Sequence, residues 1–353
     1  FWMGRRKFWL VISLPITTFS VWGLFVADGS GQFAIQYFTV NIVLLTIGLS
    51  LFGPPYYSLG AELSKEYLER SKIAFLREGF FLLGTISSAL IYALSDGSTE
   101  ALRNIALAVI ILHPITVFLS LIFVKERFEK NNIEGAIGFV NIFKTLITER
   151  RVQKFLLSQF FNSAANGIPG ALFAFFVIHR LGREDLVGPL MLVYLTSGVI
   201  GVPIWIFLGR FIPKTKLWCY SISFSILIFF LVFFVGNNDV FLFIMICILT
   251  GLSVSADMAL PTSIQADLLD EDFKKTGSNR SGAFFSILSV INKTSAAVSG
   301  AFVLLFLYWI DFDPMGDNKV DTLFYLTCLY AFAPIILKLL PLFTMWSFQE
   351  EKN

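Results

Sequence analysis

Apolar stretches of about 20 residues recur along the whole chain, and short polar segments that carry most of the charged side chains separate them. A stretch of that length can cross the hydrocarbon core of a bilayer as an α-helix. The pattern predicts ten spanning helices, at residues 8–27, 36–59, 73–94, 104–124, 153–178, 187–209, 217–235, 240–263, 283–309 and 322–347. We therefore expect an all-α membrane protein.

Composition supports this fold class. Hydrophobic residues make up 56% of the 353 and charged residues only 15%, whereas about 25% of a soluble domain is charged. The net charge of +2 gives no reason to expect a nucleic-acid partner, and no glycine-rich loop that would cradle a phosphate is present in the sequence. The three cysteines, Cys219, Cys247 and Cys328, have neither metal-ligand nor disulfide spacing, so we interpret them as core residues.

The basic residues predict the topology. Twenty of the 27 Lys and Arg residues lie on one side of the ten-span pattern, four lie on the other side and three lie within spans. Because basic loops favour the cytoplasmic side, both visible ends are expected in the cytoplasm of a multi-pass protein of the cytoplasmic (inner) membrane. The chain starts at Phe1, and no signal peptide precedes the first span, so we expect it to begin inside a longer protein.

The longest and most basic loop, at about residues 125–152, is expected to link two helical halves, 1–135 and 136–353. Within it, the apolar residues at 139, 140, 143, 146 and 147 predict a short amphipathic helix at the membrane interface. Four spans precede the loop and six follow it. Because many transporters are built from paired repeats, this arrangement fits a twelve-helix protein of which the first two helices are missing.

Three charged residues inside spans are the first candidates for function. Lys293 lies in the otherwise apolar run Phe284–Trp309, and Arg77 and Asp257 also lie within spans. A charge at that depth is costly unless it is paired or hydrated, so it marks a functional site by default. For Asp257 the alternative is a structural ion pair with Lys293 or Arg77. A fourth charge, Lys338, is interpreted as a snorkelling or folding residue.

Uncharged polar residues form faces beside predicted helix breaks. Thr46, Ser50, Gly53 and Tyr57 share a face near Pro54-Pro55, and Gln159, Asn162 and Asn166 share another near Gly167, Pro169 and Gly170. Broken helices line the substrate cavities of many transporters, which makes Asn162 and Asn166 candidate binding residues. Helix packing is the alternative for such polar residues.

Three stretches carry a resemblance to a known family. They are Met3–Trp9 (MGRRKFW); Pro55–Leu63 (PYYSLGAEL), followed by Tyr67–Arg70 and Arg77; and Ala266–Glu271 (ADLLDE), followed by Lys275–Gly277, Arg280, Gly282 and Lys293. Their order and spacing resemble the glycoside–pentoside–hexuronide:cation symporter family, the melibiose-permease-like branch of the major facilitator superfamily. The resemblance extends over the whole visible chain, and its second and third stretches are the specific ones.

This resemblance implies a major facilitator fold with alternating access, in which the ten visible helices are helices three to twelve of the family. It also implies substrate contacts. The helix-five arginine of the family matches Arg77, the helix-eleven lysine matches Lys293, and a helix-four aromatic matches Tyr57. Gly53 replaces the family's helix-four carboxylate, and Met258 replaces its helix-ten tryptophan.

These departures shape the predicted substrate. A site that keeps two cations and loses one acid is electropositive, which favours an acidic sugar derivative, although Asp257 beside Met258 partly restores the balance. Neutral sugars and other solutes remain alternatives. No cofactor is expected. The coupling ion is Na⁺ or H⁺, and its ligands stay unknown because the cation-site aspartates of the family lie on helix two, which precedes this chain.

Charged residues at the cytoplasmic ends are expected to form gates. Those residues are Glu69, Arg70, Asp267, Asp270 and Arg280, which are predicted to make salt bridges that break when the protein opens inward. Ordinary solvation of loops is the alternative interpretation.

The sequence thus predicts a cation-coupled symporter of a sugar or acidic sugar derivative, with the lipid bilayer and a small-molecule solute as partners. A lipid or lysolipid carrier of the same fold is the alternative, since the 40 phenylalanines are suited to lining a lipid path. An enzyme is not expected, because the sequence has no GxSxG motif and no clustered histidines. A non-transporting receptor or scaffold is a further alternative.

Overall fold

The computed structural model describes residues 4–27, 33–64, 66–95, 97–124, 148–277 and 280–348. Over these residues the chain is all-helical, which confirms the predicted fold class. The ten long helices are α1 Arg5–Phe25, α2 Ala34–Ala61, α3 Tyr67–Leu94, α4 Ser98–Phe123, α5 Arg150–Phe175, α6 Val187–Leu208, α7 Lys214–Leu231, α8 Val240–Thr276, α9 Ser281–Trp309 and α10 Val320–Trp346. Each is long and apolar enough to cross a membrane.

The predicted helix breaks are wrong. Helix α2 continues through Pro54 and Pro55, and α5 continues through Pro169. A proline removes one backbone donor, and neighbouring helices and side chains can compensate for that loss in a membrane helix. The irregular backbone lies elsewhere: a π-helical turn at Phe176–Arg180 extends α5, and 3₁₀ turns occupy Glu184–Leu186 and Val232–Phe234.

Helix α8 is longer than its predicted span. It has 37 residues, which corresponds to about 55 Å at about 1.5 Å per residue. Its last turns therefore extend beyond a hydrocarbon core of about 30 Å. The carboxylates Asp267 and Asp270, which were expected in a loop, lie on this helical extension.

The chain divides into two compact units. The first unit comprises Phe1–Lys65, Ser87–Ala136 and Asp272–Ser286. In it, α1 packs against α2 and α4 around the buried side chains of Leu10, Leu59 and Val117.

The second unit comprises Glu66–Ile86, Ile137–Glu271 and Ile287–Asn353. Here α10 packs against α5 and α7, while small residues bring α6 and α8 together. A Cβ atom added at Gly251 would lie 2.3 Å from the carbonyl oxygen of Tyr194, and one added at Gly201 would lie 2.6 Å from that of Leu252. Such close backbone approach is typical of packing between membrane helices.

Two predictions about organisation are not tested by this structure. The amphipathic segment at 139–147 lies outside the described residues. The division into halves at residues 135 and 136 stays a prediction.

Candidate functional site

A buried ion pair lies in the interior of the second unit. The Lys338 Nζ atom of α10 donates to the Asp257 Oδ2 atom of α8 at 2.7 Å, and the two side chains are 1% and 3% exposed. The ammonium group also donates to the Asn162 Oδ1 atom of α5 at 3.0 Å. Because a buried charge needs a charged or hydrogen-bonded partner, this contact explains how Lys338 is accommodated in an apolar helix.

Asp257 accepts two further hydrogen bonds. Asn166 Nδ2 donates at 3.2 Å and the Trp218 indole Nε1 donates at 3.3 Å. The structure therefore brings Asp257, Asn162 and Asn166 together, a meeting that the sequence did not predict. In the described part of the chain, however, Asp257 forms its ion pair with Lys338, not with Lys293 or Arg77. Lys338 stands out in the sequence as a lone charge in an apolar run. Its pairing with Asp257 could not be read from the sequence, because 81 residues separate the two.

A cavity of about 90 Å³ adjoins this cluster. Asp257 and Asn166 contribute polar groups to its wall, as do three hydroxyl side chains, Ser225, Thr250 and Ser253, and most of the remaining wall is aromatic or aliphatic. Typical small-molecule sites measure about 300–1,000 Å³. In this conformation the cavity can thus hold a small group but not a whole amphiphile.

Arg77 is neutralised by its neighbour in the sequence. Its Nε and Nη2 atoms donate to the same Glu78 Oε1 atom at 3.0 and 2.7 Å. Both side chains are largely buried, at 13% and 7% exposure. One of the two cations expected to attract an acidic substrate therefore has a carboxylate directly beside it. This contact weakens the prediction of an electropositive site.

The other predicted residues of the second unit are Met258 and Lys293. Met258 follows Asp257 on α8 and is partly buried, whereas Lys293 is exposed on α9. One residue before Lys293, the Asn292 Oδ1 atom accepts a hydrogen bond from Gln159 Nε2 at 3.0 Å. This contact joins the polar face of α5 to α9.

Gly53 and Tyr57 lie on α2 in the first unit. A Cβ atom at Gly53 would have no described atom within 4 Å. The position at which the resemblance implies a carboxylate is therefore open space in this protein. The Tyr57 ring stacks on Phe285, with centroids 6.2 Å apart and planes 17° apart, and it meets Tyr56 edge-on. An aromatic face is thus present where the resemblance implies a stacking residue.

The end of α8 forms a charged cluster with three other helices. Asp267 accepts from Lys214 of α7 at 2.6 Å and lies 3.5 Å from Arg70 of α3. Arg70 also pairs with Asp270. Glu271 pairs with Arg151 of α5. The sequence suggested Arg70, Asp267 and Asp270 as gate residues, but not Lys214 or Arg151.

In the first unit, the polar contacts centre on Arg6. Arg6 pairs with Glu62 and donates to the Ser281 hydroxyl at 2.7 Å. Arg280 lies 3.6 Å from Asp272, and both are buried.

The predicted gate residue Glu69 lies exposed in the first turn of α3, in the second unit. A gating role for these residues stays a prediction.

No group of three or more His, Cys, Asp and Glu side chains that could hold a metal ion occurs among the described residues. The ligands of a coupling ion are therefore not assigned.

Comparison with known proteins identifies relatives over nearly the whole chain. A sequence model of the family described as MFS/sugar transport protein matches residues 1–351. The sodium-dependent lysophosphatidylcholine symporter 1 of Xenopus tropicalis is 24% identical, and the match covers 99% of this chain and 75% of that protein. A sphingosine-1-phosphate transporter of Mus musculus is 23% identical, over 83% of this chain and 64% of its own length.

Solved structures share the fold. The Escherichia coli fucose:proton symporter FucP superposes with a TM-score of 0.71 at 12% identity, covering 98% of this chain and 84% of its own. The human organic anion transporter MFSD10 superposes with a TM-score of 0.70 at 13% identity, covering 96% and 77%. At such identities the likeness concerns the fold alone.

Proposed function

Because the chain belongs to the MFS/sugar transport protein family, and is thus a multi-pass membrane transporter of a small-molecule solute, we propose that it is a cation-coupled symporter of lysolipids. The main observation that supports this proposal is the match to lysophosphatidylcholine symporters over 99% of the chain. This match supports the lysolipid alternative better than the sugar or acidic sugar that the sequence first suggested. Membership of the melibiose-permease-like branch has no support beyond the superfamily.

Charge within the helices supports the same proposal. Arg77 forms an ion pair with Glu78, and Lys338 forms one with Asp257. Two of the interior cations thus have a carboxylate partner. A site with internally balanced charge suits a zwitterionic headgroup better than a sugar acid, because a sugar acid requires an uncompensated cation. In this proposal Lys293 of the second unit contacts the phosphate of the headgroup.

The proposal also covers the coupling ion and the gates. We propose Na⁺ over H⁺, since the lysophosphatidylcholine symporters among the relatives are named as sodium-dependent. Alternating access would separate and re-form the ion pairs at the end of α8, in which Asp267 holds Lys214 and Arg70. Within the second unit, Met258, Asn162 and Asn166 are proposed to shape the solute path.

Flux measurements on the full-length protein in proteoliposomes test this function. Labelled lysophosphatidylcholine, a glucuronide and a neutral glycoside are compared under an inward Na⁺ gradient and a matched K⁺ gradient. Albumin extraction separates transported lipid from adsorbed lipid. We expect Na⁺-driven lysolipid uptake that is reduced in Lys293→Gln and unchanged in Lys319→Gln, a substitution outside the membrane spans. Gradient-driven uptake of a sugar with no lysolipid uptake would contradict the proposal.

A further inference from the structure

The cavity beside Asp257 has an aromatic wall. Four rings from four different helices line it: Phe173 of α5, Tyr194 of α6, Phe229 of α7 and Tyr330 of α10. The face of an aromatic ring carries partial negative charge and attracts organic cations, most strongly where water is excluded. An enclosure of several rings is the arrangement that proteins use to hold quaternary ammonium groups.

The charged group in the wall has the sign that such a ligand requires. Asp257 lines the cavity, whereas its partner Lys338 is fully buried and is not among the described wall residues. A charge that enters the cavity therefore meets the carboxylate side of the ion pair. Asn166, which also lines the cavity, holds this carboxylate in place from the wall. The electrostatic environment thus favours a cation over an anion.

The size and polarity of the cavity favour an organic cation over a metal ion. A metal ion such as Na⁺ needs several oxygen ligands at short distance to replace its water. The hydroxyl groups of Ser225, Thr250 and Ser253 also line the cavity, but they are hydrogen-bonded to one another or to backbone carbonyls of their own helices, and most of the wall is aromatic or aliphatic. A quaternary alkylammonium group has no N–H bond to donate and therefore loses less on entering such a wall. The cavity of about 90 Å³ is several times the about 30 Å³ that a water molecule occupies in the liquid, so it accommodates one small group.

We propose that this cavity binds a quaternary alkylammonium group, such as the trimethylammonium end of a phosphocholine headgroup. The inference rests on the proposed lysolipid function, and it assigns one end of the solute to one place in the second unit. Asp257 supplies the counter-charge and the rings supply the contact surface. Lys338 is a positioning residue, which acts through Asp257.

Cys247 provides a direct readout, because its side chain also lines the cavity. In a Cys219→Ser/Cys328→Ser background, the rate of Cys247 modification by a neutral methanethiosulfonate is measured in tetramethylammonium chloride and in sodium chloride of equal ionic strength. We expect tetramethylammonium to slow the modification in a concentration-dependent manner and sodium to leave it unchanged. Choline and lysophosphatidylcholine should both protect, since they share the trimethylammonium group.

Variants separate the contributions of charge and rings. Phe229→Leu should raise the half-protecting concentration about fivefold, equivalent to about 1 kcal/mol, because one ring face is lost. Asp257→Asn/Lys338→Met removes both charges together and avoids an unpaired buried ion; it should weaken protection by a similar factor. Phe233→Leu is the matched control, since Phe233 packs on Phe332 and is not among the described wall residues.

The outcomes distinguish this inference from the proposed function. Equal modification rates with and without tetramethylammonium, in a protein that still transports lysophosphatidylcholine, would overturn the cavity assignment alone. Protection by sodium as strong as that by tetramethylammonium would also overturn it, in favour of a metal-ion site. Protection without any lysolipid transport would contradict the proposed function and keep the alkylammonium site. If Cys247 does not react, the unfolding temperature is measured with and without tetramethylammonium instead. Because a bound ligand stabilises the folded state, tetramethylammonium must raise this temperature, and an unchanged temperature would overturn the cavity assignment.

Discussion

Lys338 and Asp257 form a salt bridge of 2.7 Å in which both side chains are almost completely excluded from solvent. Asn162 binds the same ammonium group, while Asn166 and Trp218 bind the same carboxylate. Four helices, α5, α7, α8 and α10, therefore meet at one pair of charges. The pair has consequences for stability that can be measured.

Removing one member of this pair should destabilise the protein more than removing both. Asp257→Asn or Lys338→Met alone leaves an uncompensated buried charge and should cost about 3–5 kcal/mol. The double variant Asp257→Asn/Lys338→Met should recover most of this loss. Unfolding of the purified protein in detergent, analysed as a double-mutant cycle, measures the coupling. Single variants as stable as the parent protein would contradict the assignment.

Breaking the cluster at the end of α8 should loosen that end. Asp267→Asn removes the carboxylate that Lys214 and Arg70 share, and leaving buried groups poorly satisfied costs about 1–3 kcal/mol. Amide hydrogen exchange over Ala266–Glu271 should then be on the order of tenfold faster, since about 1.4 kcal/mol corresponds to a factor of ten.

The matched control for this prediction is Asp185→Asn. Asp185 forms a salt bridge with Arg183 in which the side chains are 62% and 38% exposed, and such exposed pairs contribute little to stability. Exchange should stay unchanged in this variant. Equal effects of the two substitutions would show that burial of the α8 cluster has no energetic consequence.

Two glycines should respond differently to alanine. A Cβ atom at Gly53 meets open space, so Gly53→Ala should be neutral or slightly stabilising, by up to about 1 kcal/mol from helix propensity. A Cβ atom at Gly251 would lie 2.3 Å from a backbone oxygen of α6, so Gly251→Ala should destabilise by about 1–3 kcal/mol through overpacking. Unfolding temperatures measured side by side test the contrast, which fails if Gly53→Ala is the more harmful change.

Glu78 should control the charge preference for the solute. In Glu78→Gln the guanidinium of Arg77 loses the carboxylate beside it, so uptake of a net anionic lysolipid should increase relative to a zwitterionic one. The expected change in the uptake ratio is on the order of tenfold, equivalent to about 1.4 kcal/mol. Competition between the two labelled lipids in proteoliposomes measures this ratio. Glu100→Gln, at an exposed position in the first turn of α4, is the control, and an equal shift there would refute the role of Glu78.

Over the described residues, the sequence by itself determined the number of membrane helices and their approximate positions, although not the full length of α8. Hydrophobic length decides whether a segment crosses a bilayer, and that quantity is local, so a window of about 20 residues is enough to detect it. The same reasoning marked Arg77, Asp257 and Lys293, because an isolated charge in an apolar run stands out without knowledge of its neighbours. It failed at Pro54 and Pro169, where the helices continue, because the surroundings of a membrane helix can compensate for the donor that a proline lacks and this is not visible in the local sequence.

Only the tertiary structure decided which charges meet. The sequence offered Lys293 or Arg77 as the partner of Asp257, but the packing of α8 against α5 and α10 pairs it with Lys338. Arg77 pairs with its own neighbour Glu78, which balances the positive charge that was expected from the sequence to attract an acidic substrate. The aromatic cavity likewise draws one ring from each of four helices. Such choices depend on distances of a few ångströms between residues far apart in the chain, and electrostatic and packing energies are decided at that range.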